Sequence, residues 1–215
     1  TSGRLVTLRA GFRLDLMPWA WLKANVGKSH RAPTFYELFG DRGGVVGNTS
    51  LEAEKGVVWD AGIRLEGERG VLESAVFEHR YSQLIQFVQI SQGVSRASNT
   101  GKARVRGMEW TVQGRVLDRL SLSGNYTFQR ALDRSRFLPR QGKQLPNRPV
   151  HEVQVNGALQ LGDAVVFYEY TFEDGNFLDR ANLRPIPARH IHNTGIRWMG
   201  FFTLPFHGGG QEFAE

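Results

Sequence analysis

Hydrophobic and polar positions alternate with a period of two along most of the chain, and this alternation predicts β-strands. Leu120, Leu122, Gly124, Tyr126 and Phe128 share one face, while Ser121, Ser123, Asn125, Thr127 and Gln129 share the other. Val6, Leu8, Ala10, Phe12, Leu14 and Leu16 are set in the same way against Thr7, Arg9, Gly11, Arg13 and Asp15. Val57, Trp59, Ala61, Ile63 and Leu65 oppose Val58, Asp60, Gly62, Arg64 and Glu66, and Val153, Val155, Gly157, Leu159 and Leu161 oppose Glu152, Gln154, Asn156 and Gln160. Segments 71–90 and 164–178 carry apolar residues on both faces in places. Spacings of three and four residues are poorly kept, so no helix longer than a couple of turns is expected.

The connections add an ordering. Met17-Pro18, Glu66-Gly67-Glu68-Arg69-Gly70, Asp118-Arg119 and Gly162-Asp163 are tight-turn signals. Long polar connections are expected between them, at about 31–56, 91–102, 135–149 and 179–189. Short and long therefore alternate, as in an up-and-down meander with its turns at one end and its loops at the other. The strands run to roughly 10–16 residues, longer than the five or six usual in soluble sheets and suited to crossing a bilayer at a tilt.

Alternation alone leaves open whether the apolar face meets a protein core or lipid. Trp19 and Trp21 beside a short turn, Trp198 near a strand end, and a stripe of Tyr168, Tyr170 and Phe172 favour lipid, because membrane barrels carry aromatic girdles. Only 40% of the 215 residues are hydrophobic and no apolar run approaches the roughly 20 residues of a spanning helix, so any crossing must use strands. The absence of cysteine excludes disulfides and thiolate metal sites. A net charge of +6 suits acidic lipid headgroups or an anionic ligand, and nucleic acid is not expected as a partner.

Several segments then match one family in order and spacing. Lys28 to Gly40, containing Arg31-Ala32-Pro33-Thr34 and Glu37-Leu38, resembles the "yRAPt…EL" signature of TonB-dependent receptors. Gly47-Asn48-Thr49-Ser50-Leu51-Glu52-Ala53-Glu54 is similar to that family's "gN..L.pE", and Phe77 to Ile85 to its "F…y.dlI" strand. Asn99, Gly107 and Glu109 fit "N…a…GvE", Asn125 to Phe128 "nYTf", and Leu145 to Pro149 "lPnrP". The resemblance implies an all-β, transmembrane, antiparallel up-and-down β-barrel, with residues 1–215 forming about nine strands of a larger, incomplete barrel. It further implies active import at the Gram-negative outer membrane, with TonB-supplied energy delivered through an N-terminal plug. That plug is expected to lie upstream of Thr1, where strand-like sequence begins at once. Phe206 to Glu215 reads as a loop without a terminal aromatic, so the last strand or strands are expected to be missing.

The resemblance places ligand binding on the apical loops, which makes Phe35, Tyr36, Arg42, Arg96, Asn99, Arg136, Arg140, Asn182 and Arg184 the candidate binding residues. The expected ligand is a small metal chelate, such as a ferric siderophore, or cobalamin; haem is disfavoured because no histidine lies between Thr34 and Gly47. Outer-membrane lipid and lipopolysaccharide phosphates are the other expected partners of the loop arginines. Arg31-Ala32-Pro33, Glu52 and Glu54 read as architectural, and the His190/His192 pair lacks a nearby third ligand, so no metal site and no cofactor are expected. No catalytic grouping stands out, and an enzyme is not expected. A passive outer-membrane pore or adhesive barrel, and a soluble ligand-binding meander, remain the alternatives.

Overall fold

The computed structural model describes residues 6–198. In chain order the elements are β1 (Arg9–Met17), β2 (Ala20–Arg31), α1 (Phe35–Phe39), β3 (Val45–Val46), β4 (Glu54–Gly67), β5 (Gly70–Ser91) and β6 (Val94–Leu117). They continue with β7 (Leu120–Asp133), β8 (His151–Leu161), β9 (Ala164–Asp174), β10 (Asn176–Phe177), β11 (Pro185–Ile186) and β12 (Arg189–Trp198). One antiparallel meander runs β1-β2-β4-β5-β6-β7-β8-β9-β12, nine long strands in sequence order. Four of the five two-residue turns between long strands fall at one end, and the long connections fall at the other together with the β5–β6 tip. The loop-like reading of Phe206 to Glu215 and the start before Val6 lie outside the described residues.

The long connection expected at 91–102 is instead strand. β5 and β6 continue pairing through Val88–Arg96 and Gln89–Ser95, and close on a tip at Gln92-Gly93 with Gly93 at φ +73°. Their 22 and 24 residues make a hairpin that reaches well past its neighbours. A register shift between Tyr81 and Leu84 marks where it leaves the sheet, with Gln83 held at φ +58°. The expected loop at 31–56 holds α1 and β3, and β11 lies in the expected loop at 179–189.

Register assigns every side chain to a face. The row Val26, Trp59, on to β5 and β6 at Glu78 and Arg106, and to β7 at Arg130, crosses five strands. On the turn side of that row this outer face carries only apolar, aromatic, glycine, serine, threonine or histidine residues among the described strands, including Phe12, Leu22, Ile63, Leu72, Trp110, Leu122, Val155, Tyr170 and Ile196. Along β7 this band runs from Leu120 to Phe128, about 26 Å of strand and about 20 Å of bilayer depth at a 40° tilt. The other, inner face carries Lys23, Asp60, Arg64, Glu73, Glu109, Asn125, Gln154 and Glu169. Trp21 belongs to it too: the guanidinium of Arg13 sits 4.2 Å from its ring, so this tryptophan is not part of an outer girdle.

Nothing in the described chain covers the apolar face. Among the described residues the buried aliphatic side chains are those of Ala20, Ala97, Ala103 and Ala131, while Phe12, Val26, Trp59, Val112 and Ile196 are exposed. A soluble sheet buries one face in a packed core; this single layer needs an apolar solvent. Glycine tightens the layer at Gly107, where an added Cβ would collide with the Phe128 carbonyl oxygen and lie 2.8 Å from the Phe77 ring. The aromatic Phe77, His79 and Tyr81 ladder thus lies close on the inner face, with ring centroids 5.2 and 6.3 Å apart.

Candidate functional site

The loop end is built on one arginine. Arg31, the last residue of β2, donates from Nε and Nη2 to Glu54 at 2.7 and 2.6 Å, and from Nη1 and Nη2 to Glu37 at 3.1 Å each. Glu37 is held in turn by a capping box: its carboxylate accepts from the Thr34 backbone at 2.7 Å while its own backbone N–H donates to the Thr34 hydroxyl at 3.2 Å. Glu54 also accepts the Ile85 backbone N–H at 2.9 Å. These groups lie beyond the apolar band. Burial pushes both carboxyls up, but the Arg31 hydrogen bonds and the backbone donors outweigh it, so both end below the ordinary glutamate range. The Arg31 guanidinium is raised above its ordinary value, first by Glu54 and then by Glu37.

Asparagines fasten the rest of the first loop to the long hairpin. Asn48 Nδ2 donates to the Ala97 carbonyl at 2.9 Å. Asn99 accepts the Glu52 N–H at 2.8 Å and donates to the carbonyls of Glu52 and Gln83 at 2.9 and 2.7 Å, which pins the strained Gln83 bulge. β3 pairs in parallel with β6 through Val45–Ser95 and Val46–Arg96. The residues of the motifs "RAPt…EL", "gN..L.pE" and "N" thus form one clamp. Of its members only Asn99 was among the candidate binding residues, and its amide makes three hydrogen bonds within the clamp.

Four other candidates gather around this clamp. Phe35 is 78% exposed and its ring packs on Phe39 at 5.0 Å. The Tyr36 hydroxyl donates to the Arg42 carbonyl at 3.3 Å and its ring lies 6.1 Å from Phe87. Arg42 and Arg96 are exposed, Arg96 on strand and not on a loop.

A second group forms on the connections 134–150 and 175–188. Asn182 makes a two-way tie to the Gln144 backbone, accepting at 2.7 Å and donating at 2.9 Å. The guanidinium of Arg140 sits 5.2 Å from the Phe137 ring, and Arg136 is exposed. The Arg184 N–H donates to Asp179 at 2.7 Å, leaving its exposed side chain free to face outward. Burial raises the Asp179 carboxyl, but N–H donors from Arg184, Leu183 and Ala181 outweigh it and hold it low. Arg180 Nη1 donates to Gln86 Oε1 at 3.0 Å, a bond across 94 positions that joins the two groups and had no signal in the sequence. Among the described residues no three His, Asp or Glu side chains converge on a metal-binding point. His190 and His192 instead hydrogen-bond the hydroxyls of Tyr170 and Tyr168 at 2.9 and 2.7 Å on the outer face.

A single-layer meander with a bare apolar face, a polar inner face and ordered loops at one end is a piece of transmembrane β-barrel wall. Residues 1–204 match the family model described as TonB dependent receptor-like, beta-barrel. The chain belongs to the TonB-dependent receptor family, whose members are outer-membrane β-barrel proteins. It is 28% identical over 148 residues to an uncharacterized TonB-dependent receptor of Haemophilus influenzae, covering 68% of this chain and 40% of that one. Among solved structures it resembles the copper transporter OprC, with a TM-score of 0.71, 17% identity, and coverage of 88% of this chain and 30% of that one. It also resembles the ferric yersiniabactin uptake receptor FyuA of Yersinia pestis, with a TM-score of 0.70, 17% identity, and coverage of 89% and 29%. The chain therefore spans less than half the length of each. Both structures bear on the fold alone.

Proposed function

We propose that this chain forms part of the wall and the ligand-gathering end of a receptor that imports a scarce nutrient across the Gram-negative outer membrane. The ligand is a metal chelate of the ferric siderophore kind, with cobalamin as the second choice. The observation that carries this is the gathering of arginines and exposed rings on two loop groups joined by Arg180 and Gln86, with Arg140 set against Phe137. Arg42, Arg96, Arg136, Arg140 and Arg184 suit the carboxylates or catecholates of an anionic chelate, and Phe35, Tyr36 and Phe137 its organic frame. Energy comes from the TonB complex acting through a plug. A passive pore would need no energy and no elaborated loops. A soluble meander is disfavoured by the bare outer face.

The test expresses the complete reading frame in a Gram-negative strain lacking its own receptors and follows uptake of labelled ferric siderophores and cobalamin, with and without TonB. Uptake of one ligand that vanishes without TonB, and falls at least about tenfold in R42Q/R96Q/R136Q/R140Q, is the expected result. Uptake that is indifferent to TonB would establish the pore instead.

A further inference from the structure

The inner face of the wall is divided by charge. On β1 to β5 it is filled by long, paired side chains. Lys23 and Arg64 both reach Glu73, Arg64 at 3.3 Å, and Arg13 meets Asp15 at 2.7 Å. The guanidiniums of Arg13 and Arg64 lie 4.2 and 5.5 Å from the Trp21 ring. β7 is the opposite. Its inner positions Ser121, Ser123, Asn125 and Thr127 are short and uncharged over about 20 Å of strand. The residues facing Asn125 and Ser123 are uncharged too, Thr111 and Gln113 on β6, Gln154 and Asn156 on β8. This strip lies level with the charged wall, since Arg64 stands opposite Glu73 and Glu73 opposite Thr111. Among the described residues its side chains are joined to one another only by Asn156 Nδ2, which donates to Ser123 at 3.4 Å. The remaining hydroxyls and amides are open to a passing molecule.

Fixed charge returns at both ends of the strip. Glu109 and Glu152 face Thr127 from either side at the loop end, and Arg115 faces Ser121 at the turn end. There the strip opens into a groove of about 920 Å³, walled in part by Ser121, Ser123 and Asn156 with Arg115, Glu169 and Arg197 around them. A volume of about 300–1,000 Å³ holds a small organic ligand. A path must hold its cargo weakly and at several points, because one strong charge pair would trap it. Hydroxyls and side-chain amides meet that condition, and the paired charges of β1 to β5 do not. We propose that this strip is the descent path of the imported ligand. A metal chelate or cobalamin leaves the loop arginines, passes down β7 by exchanging hydrogen bonds from Thr127 to Ser121, and departs past Arg115 and Arg197. This path rests on the receptor reading above and adds to it the side of the barrel on which import runs.

The chain itself has no cysteine. The test uses the complete reading frame with S123C as its one cysteine, in cells given the labelled ferric siderophore or cobalamin that the unaltered protein imports. A protein that imports neither overturns the receptor reading itself, before any thiol is modified. Modification of S123C by methyl methanethiosulfonate should leave uptake within about twofold, and a biotin-bearing methanethiosulfonate should cut it at least about tenfold. Ligand binding at the cell surface should stay unchanged, and dithiothreitol, which removes the adduct, should restore uptake to a barrel that never unfolded. N25C, on the paired-charge side, should keep its uptake under the same reagents. An S123C thiol that does not react, uptake that persists with the large adduct in place, surface binding lost along with uptake, or an equal loss from N25C would each overturn the path.

Discussion

Replacing Arg31 by methionine should release the first apical loop while leaving the wall intact. The side chains of Glu37 and Glu54 are only 12% and 14% exposed, and Arg31 supplies four hydrogen bonds between them. Breaking a fully buried pair from one side costs about 3–5 kcal/mol because a charge is left unmatched. Arg31 is itself 45% exposed, so water screens part of that cost and about 2 kcal/mol remains. That is about 30-fold in the opening equilibrium. Hydrogen–deuterium exchange on the receptor in lipid vesicles reads it directly. The amides of Glu37, Leu38 and Ile85, which donate within this clamp, should exchange about 30-fold faster in R31M, with β7 to β9 unchanged. R31M/E37Q/E54Q should lose less protection than R31M, because no unmatched charge is left behind. If those amides keep their original rates in R31M, the clamp does not hold the loop.

Acid should act on the same clamp. Its two carboxyls have lowered pKa values in the folded state, so their stabilisation is complete above the ordinary glutamate value of about 4.3 and fades as pH falls through the lower folded value; amide protection of the first loop should therefore drop below about pH 4 and return on neutralisation. The face assignment predicts that V155R, in the middle of the apolar band, costs about 2–4 kcal/mol in folding into vesicles, and that Q154R, one position away on the inner face, costs much less; equal costs, measured by denaturant titration, would mean the faces are misassigned.

The wall was legible because its two faces meet different solvents. Where Leu120 to Phe128 and Val153 to Leu161 lie between lipid and a polar interior, the period-two pattern survives in the sequence and the faces read from it are those of the structure. That signal fails at Ser95, Arg96, Ser98, Asn99 and Lys102, because strands that project beyond a membrane are polar on both sides, and a 24-residue strand was read as ending in a loop. The Gly93 tip was the remaining clue. Trp21 misled for the opposite reason, since a tryptophan beside a turn serves an inner arginine pair as readily as a lipid interface. At the loop end, Thr34 and Glu37 carry the spacing of a capping box, which marks α1. No spacing reveals that Arg31 joins Glu37 to Glu54, or that Arg180 reaches Gln86, because those contacts are made only after distant strands have been aligned.

The abrupt edge of charge on the outer face acts as a waterline. Sinking the wall by one row would draw Glu78, Arg106 and Arg130 into hydrocarbon, while raising it by one would lift Met108 and Phe128 into the headgroups. The barrel is thereby held at a single draught, and everything mounted above that line inherits its elevation. From Glu78 to Ser91 the long hairpin adds about 40 Å of strand above it. In the proposed receptor, the height at which a ligand is first met outside the cell is in this way set by arginines on the lipid side of the wall.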